Sequence, residues 1–355
     1  HTLYKNDHQK FIDYNIKDVE LVERIDQKMG LIELVMTMAY KAGVNYSDVM
    51  GTTAIWDSII YRDLYANKIA PPPNVEKFKG PYPGGYVKDP HVGSHDWVVS
   101  FDLNSLYPNL IVQYNMSPET LLKSDQGDVC IAANGAAFTK KFQGMLPRII
   151  INYSNERKAI KKDMLAAMQA NQNNPSSDTE REINRLENRQ MAIKILLNSL
   201  YGALGNKYFR YFDQSVAEAI TTSGQLAILT AETAMNTEMN KILKSDKDYV
   251  IAIDTDSLYV NFGPLVDKLK PKDIVKTLDT VCNDHFTKAL NKAYDELATK
   301  TNAYTNRMIM EREVIADRGI WTAKKRYILN VHNSEGVQYA EPKLKIMGIE
   351  AIKSS

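Results

Sequence analysis

Residues 249–260 read Tyr-Val-Ile-Ala-Ile-Asp-Thr-Asp-Ser-Leu-Tyr-Val, two short apolar runs flanking Asp254-Thr255-Asp256. Runs of this length, rich in β-branched and aromatic residues, predict a β-hairpin with carboxylates at its tip. On a strand, residues two apart face the same way, so Asp254 and Asp256 are expected to reach one point. A further acidic position, Asp102, follows the apolar run Trp97-Val-Val-Ser-Phe101. Three carboxylates with no paired base nearby in sequence are costly to cluster unless a cation neutralises them. Hard divalent cations take carboxylate oxygens, and Mg²⁺ keeps substrate phosphates in its shell. Taken alone, Asp-Thr-Asp is more simply read as a solvated turn, since Asp is a favoured turn residue. The strongly apolar flanks argue instead for a buried tip.

Working outward, Phe11, Ile12, Ile16, Val19, Leu21 and Ile25 recur at helical spacing, and Gly30 offers a stop. A second helical run, Leu31–Ala42, is closed by Gly43, and residues 55–65 predict a third. Pro71, Pro72, Pro73, Pro81, Pro83, Gly84 and Gly85 then break the pattern, which places a linker and domain boundary at 71–95. Beyond it, a long helical section from about 150 turns near 171–177 and returns from Asp178 to about Leu204, an αα-hairpin. Residues 327–331 and 337–340 predict a further β-hairpin, turned at 333–336.

The chain's 355 residues suffice for two or three domains, and 44% hydrophobic with 25% charged content excludes wholesale disorder. No apolar run approaches the roughly 20 residues that span a bilayer. Two cysteines, Cys130 and Cys282, exclude a disulfide framework or a cysteine-rich zinc site. The net charge of +1 leaves any nucleic-acid case to local patches. Opening at His1 without an initiator Met or signal pattern, the chain is expected to be an excised piece of a longer cytosolic protein.

The helical hairpin carries such a patch. Arg157 and Lys161 are four apart and share a face, with Lys158 and Lys162 beside them. On the return helix Lys194, Asn198 and Tyr201 fall on one face too. An Arg and two Lys converging from facing helices would clamp a triphosphate, with Tyr201 offering a surface to a base. The plainer reading is a solvated basic helix. Ile195-Leu196-Leu197 beside Lys194 argues against full solvation of that lysine.

Three segments carry a family likeness. Ser100-Phe-Asp102-Leu-Asn-Ser-Leu-Tyr107-Pro resembles motif A of family B DNA polymerases, Lys194-Ile-Leu-Leu-Asn198-Ser-Leu-Tyr201-Gly202 motif B, and Asp254-Thr255-Asp256-Ser257 motif C, in the family's order and spacing. Tyr82-Pro-Gly84-Gly85 resembles the linker between exonuclease and polymerase domains, and Lys324-Lys325-Arg326-Tyr327 the element that contacts primer–template duplex. Asn155-Glu-Arg157-Lys158 with Lys161 is similar to the fingers segment that grips the triphosphate. Residues 197–213 and the tail 339–354 look closest to T-even-phage-like replicative polymerases, and the likeness covers essentially the whole chain.

The resemblance implies an α+β fold: an antiparallel palm sheet with a helical-hairpin fingers insertion, preceded by a helical remnant of a ribonuclease-H-like exonuclease domain. It divides the chain into exonuclease helices (1–70), linker (71–95), palm (96–147), fingers (148–206) and palm again (207–355). It implies template-directed transfer of deoxynucleotidyl units from dNTPs to a primer 3′-hydroxyl, with two Mg²⁺ ions (Mn²⁺ able to substitute). Asp102, Asp256 and the Leu103 carbonyl would hold the metals, and Asp254 would adjust the site. Backbone N–H groups of Ser105 and Leu106, with Arg157, Lys161 and Lys194, would bind phosphates. Tyr107 would lie under the sugar and exclude a ribose 2′-hydroxyl, and Asn198, Tyr201 and Gly202 would line the nascent base pair. Glu311 and Lys325 would tune the metal geometry and the primer end, with Lys324, Arg326, Tyr327, Tyr82 and Gly84 on the DNA.

Implied partners are primer–template DNA, dNTPs and, in the intact protein, a sliding clamp and replisome proteins, in the host cytoplasm and with no membrane. Tyr14-Asn-Ile-Lys-Asp18 resembles the last exonuclease motif. The earlier exonuclease carboxylates and the thumb have no counterpart, so no 3′→5′ exonuclease activity and weak or absent synthesis by the piece alone are expected. Phe11, Ile12, Ile16 and their neighbours would then form an exposed apolar patch prone to self-association. Two other readings stay open: a non-catalytic nucleotide- or DNA-binding piece, and another two-metal enzyme such as a reverse transcriptase or primase. The last leaves the Asn198–Gly202 helix and the Lys324–Tyr327 element unexplained.

Overall fold

The computed structural model describes residues 2–75, 77–123 and 127–349, so the likeness of the tail lies outside the described residues from position 350 on. In chain order the elements are α1 (Thr2–Asn6), α2 (His8–Met29), α3 (Leu31–Ala42), α4 (Thr52–Ala66), β1 (Gly93–Leu103), α5 (Leu106–Gln113), β2 (Leu121–Leu122), β3 (Val129–Ile131), β4 (Ala137–Thr139), α6 (Met145–Asn173), α7 (Ser177–Leu204), α8 (Gln214–Leu243), β5 (Val250–Asp254), β6 (Ser257–Asn261), α9 (Gly263–Leu269), α10 (Ile274–Val281), α11 (Thr287–Lys300), β7 (Met310–Ala323), β8 (Arg326–Ser334) and β9 (Val337–Met347). They form two compact units. One runs to Asn74 and takes in Ile151–Arg210; the other comprises Val75–Ile150 and the chain from Tyr211 on.

The first unit is helical, and its helices stop where the sequence says. Gly30, at φ +61°, ends α2 by donating its N–H to the Asp26 carbonyl, and Gly43, at φ +68°, ends α3 in the same left-handed conformation. Ser176 caps α7 by accepting from the Thr179 N–H at 3.1 Å. α7 packs on α3 and α4, where the wholly buried Trp56 donates its indole N–H to Ser199 Oγ at 3.0 Å. Lys41 on α3 pairs with Glu156 on α6. α2 buries none of its residues, and Ile16, Val19, Val22 and Ile25 are all more than half exposed.

The second unit is built on an antiparallel six-stranded sheet ordered β5-β6-β1-β7-β8-β9. β1 begins at Gly93, inside the stretch read as linker. The Pro- and Gly-rich segment before it is not loose. It runs beside β5, with Lys88 N–H on the Ile253 carbonyl (3.1 Å) and His91 N–H on the Ile251 carbonyl (2.8 Å). α8, to which the sequence reading assigns no element, packs against α5, α11, β5 and β6. Asp213 starts it, accepting from the N–H groups of Ser215 and Val216. A three-stranded sheet, β2-β4-β3, stands apart from the large one. The class is α+β, as expected. Among the described residues no helix is long and apolar enough to cross a membrane.

Candidate active site

Asp102 sits near the end of β1, at the centre of the large sheet. Its Cα faces Ser257 on β6 and Glu311 on β7. The next residue, Leu103, donates its N–H to the Asp256 carbonyl at 2.8 Å, which ties the end of β1 to the tip of the β5–β6 hairpin. At that tip the expectation needs correcting. Asp254 and Asp256 do not share a strand: β5 ends at Asp254, β6 starts at Ser257, and Thr255-Asp256 is a two-residue turn. Thr255 has φ +59°, rare for a β-branched residue, and its N–H donates to the Tyr86 carbonyl at 2.8 Å.

The turn therefore sends the two carboxylates to different neighbours. Asp254 Oδ1 accepts from Lys325 Nζ at 2.6 Å. Asp256 stands with Asp102. Burial, then the charges of Asp256 and Glu313, push the Asp102 carboxyl up to about 7. Asp256 is raised as well, by burial first; its own backbone N–H opposes the rise, and Asp254 and Glu313 add to it.

Glu313 was missed by sequence reasoning, which gave the tuning role to Glu311. Glu311 is exposed, although it lies opposite Asp102 across the ladder. The β1–β7 register shifts between Ser100 and Phe101, which face Val314 and Arg312, so Glu313 is the extra residue of a β-bulge. Its carboxylate accepts from Ser100 Oγ at 3.1 Å and from Lys345 Nζ on β9 at 2.8 Å. Burial alone would lower the Lys345 ammonium, but its bond to Glu313 raises it. A Glu-x-Glu pair in a strand gives no sign of which member a bulge will turn inward.

Ser105, in the left-handed region at φ +48°, precedes α5, and the N–H groups that open a helix have no intrahelical acceptor. Tyr107 lies in the first turn of α5. Burial raises its hydroxyl, and Asp256 and Tyr82 add to the effect. Lys324 and Lys325 form the β7–β8 turn, where Lys324 pairs with the exposed Asp89 at 3.0 Å. Arg326 is exposed. Tyr327, grouped with these cations on sequence grounds, is instead buried. Its hydroxyl pairs with Tyr259 at 2.8 Å and its ring stacks on Trp321 at 5.4 Å. Tyr82 is half-buried under Lys79 Nζ, and the Gly84 carbonyl accepts from Gln225.

In the helical unit, Arg157 Nε donates to Gln190 Oε1 at 3.2 Å, which ties α6 to α7, and Lys161 is exposed. Lys194, Asn198 and Gly202 are exposed and Tyr201 is half-buried. The solvation of Lys194 corrects the expectation drawn from its apolar neighbours. Ile193, Leu196 and Leu200 are buried on the side of α7 turned away from Lys194, so sequence adjacency did not carry burial. Tyr14 and Asp18 stand one turn apart on α2, both exposed.

Among the described residues no three His, Cys, Asp or Glu side chains are grouped closely enough to hold a metal by themselves. Two raised carboxylates still fit Mg²⁺, which is commonly bound through one or two carboxylates with phosphate and water oxygens completing the shell. A divalent cation would also relieve the repulsion that raises Asp102 and Asp256.

The model of DNA polymerase family B matches residues 55–353. The chain is 34% identical to the DNA-directed DNA polymerase of Escherichia phage RB69 and 33% identical to that of Enterobacteria phage T4. Each match takes in 99% of this chain and 47% of the relative. DNA polymerase 1 of Pyrococcus abyssi is 32% identical over 70% of the chain and 28% of its own length. The chain thus spans about half the length of the phage relatives it matches. With its carboxylates at the centre of an antiparallel sheet and a family match over most of its length, this chain belongs to DNA polymerase family B.

Proposed function

We propose that the chain carries the nucleotidyl-transfer centre of a template-directed DNA polymerase. The sheet unit acts as palm and α6–α7 as fingers. The observation that carries this reading is the meeting of Asp102 and Asp256 at the junction of β1 with the β5–β6 tip, two partly buried carboxylates that are both raised by burial first, with the charge of Asp256 adding to the rise of Asp102. Asp102, Asp256 and the Leu103 carbonyl would hold two Mg²⁺, with Mn²⁺ able to replace them. The chemistry such ions supply is charge stabilisation in an in-line displacement by the primer 3′-hydroxyl, with pyrophosphate leaving.

The chain's own residues bind and orient. N–H groups of Ser105 and Leu106 and the cations Arg157, Lys161 and Lys194 take the phosphates of a dNTP. Tyr107 stands at the sugar and leaves no room for a 2′-hydroxyl. Asn198, Tyr201 and Gly202 face the nascent pair, so selection follows pairing geometry. Asp254 acts through Lys325, and Lys324, Lys325 and Arg326 meet the primer–template backbone. Tyr82 and Gly84 belong to the same DNA-facing strap. A sliding clamp, other replisome proteins and a place in the host cytoplasm belong to this proposal too.

Primer extension on a short template with Mg²⁺, then Mn²⁺, tests it. Extension lost in both Asp102→Ala and Asp256→Ala supports the assignment. If the parent chain extends nothing yet binds dNTP in a metal-dependent way sensitive to Lys194→Ala, it is a binding piece rather than a catalyst. Extension that survives Asp102→Ala refutes the carboxylate assignment.

A further inference from the structure

We infer that Gly224 and Gly85 are specificity-determining positions that set where the Tyr107 ring stands, an inference that rests on the proposed role of Tyr107 at the sugar. Gly224 is buried in the middle of α8, where a glycine is unfavourable unless space demands it. Space is tight on one side: a Cβ on Gly224 would stand 3.2 Å from Tyr107 Cε1, closer than the ring comfortably allows, and at ordinary contact distance from Leu106 Cδ2 (3.5 Å) and Leu110 Cδ1 (3.6 Å). The α8 backbone thus forms one wall against the ring edge. Gly85 closes the other end. A Cβ there would lie 3.0 Å from the Tyr107 hydroxyl and 2.9 Å from both Cγ2 and Oγ1 of Thr255.

Both walls are anchored. The Gly84 carbonyl accepts from Gln225 on α8 at 2.6 Å, and the Tyr86 carbonyl accepts from Thr255 N–H at 2.8 Å. The segment carrying Gly85 is therefore fixed on one side to the helix holding Gly224 and on the other to the turn between Asp254 and Asp256. Tyr107 sits in a slot made of backbone, which cannot rotate out of the way as a side chain can. A ring that reads one hydroxyl on a sugar must be fixed to within a fraction of an ångström, and a rigid slot supplies that.

Gly224→Ala is the decisive variant, because alanine favours the helix and the added methyl asks the ring to give by only a few tenths of an ångström. In primer extension its apparent KM for dNTP is expected to rise about fivefold with kcat retained, and its ribonucleotide-to-deoxynucleotide ratio to shift. In a Tyr107→Ala background the same change should do neither, since the ring it displaces is gone. Parental KM and sugar ratio in Gly224→Ala overturn the inference, as does an equal effect in both backgrounds. A readout independent of synthesis comes from 3-fluorotyrosine labelling, with the Tyr107 ¹⁹F signal assigned by its loss in Tyr107→Phe. That signal should move in Gly224→Ala and in Gly85→Ala, and an unmoved signal refutes the slot. A chain that extends no primer but shows the moved signal fails the functional proposal while keeping the slot.

Discussion

Asp102→Asn should stabilise the metal-free protein at pH 8 and leave it unchanged near pH 4. The folded state holds the Asp102 carboxyl at about 7 against an ordinary 3.8, with burial and the charges of Asp256 and Glu313 as the causes. Between those values the folded protein keeps a proton that the unfolded chain has lost. Stability of the parent must therefore fall as pH rises from about 4 to about 7, and level off above. The full displacement corresponds to at most about 4 kcal/mol. Because the side chain is only partly buried, solvent screening brings the working figure to about 2 kcal/mol. Asparagine is neutral throughout and escapes the penalty. Urea unfolding in EDTA at pH 4 and pH 8 measures the difference, with Trp97 and Trp321 reporting on the sheet in a Trp56→Phe background. Mg²⁺ at pH 8 should then restore the parent more than the variant, since binding to the folded state alone adds stability. A variant no more stable than the parent at pH 8, or a parent that gains stability across this window, would refute the reasoning.

Lys345→Met unpairs Glu313 beside Asp102 and Asp256, so the urea midpoint in EDTA should drop by the equivalent of about 1–3 kcal/mol, while a Mg²⁺ titration should show tighter binding. Tyr259→Phe strands the buried Tyr327 hydroxyl at a cost of about 1–2 kcal/mol, and adding Tyr327→Phe should recover part of that loss in the same unfolding assay. Ile16→Glu with Val22→Glu on the exposed face of α2 should reduce the concentration dependence of the sedimentation coefficient; a parent already monomeric at high concentration counts against that patch as a self-association surface.

The parts of the fold that are local in sequence were readable there. Gly30 and Gly43 mark two helix ends because glycine alone reaches left-handed φ without strain, and the β5–β6 hairpin announces itself by its apolar flanks. What could not be read depends on register. A bulge opposite Ser100 turns Glu313 rather than Glu311 toward Asp102, and nothing in Glu-x-Glu distinguishes the two. A positive φ at Thr255 separates Asp254 from Asp256, against the preference of a β-branched residue. Tyr327 follows three cations yet is buried, because the β7–β8 turn ends before it and strand alternation resumes. Gly224 and Lys345 act across gaps of 117 and 32 residues to Tyr107 and Glu313, distances over which periodicity says nothing.

Charge balance at the site explains why two of its carboxylates differ from the others. Asp254 is paired with Lys325 at 2.6 Å and Glu313 with Lys345 at 2.8 Å, whereas among the described residues no lysine is ion-paired with Asp102 or Asp256. Those two are the carboxyls that burial and neighbouring carboxylates raise, and in the proposed centre a divalent ion would supply the positive charge still missing. On this account Asp254 serves the metal indirectly, by holding a lysine away from it. Lys325 already opposes the rise in Asp256, so freeing it should turn it toward that carboxylate. Asp254→Asn is therefore expected to weaken Mg²⁺ about tenfold without removing a ligand, and Asp254→Asn with Lys325→Met to regain most of the loss. Mn²⁺ titration followed by electron paramagnetic resonance measures both without requiring synthesis. If the double variant binds as weakly as the single one, Asp254 is itself a ligand, and the pairing with Lys325 is a feature of the metal-free state alone.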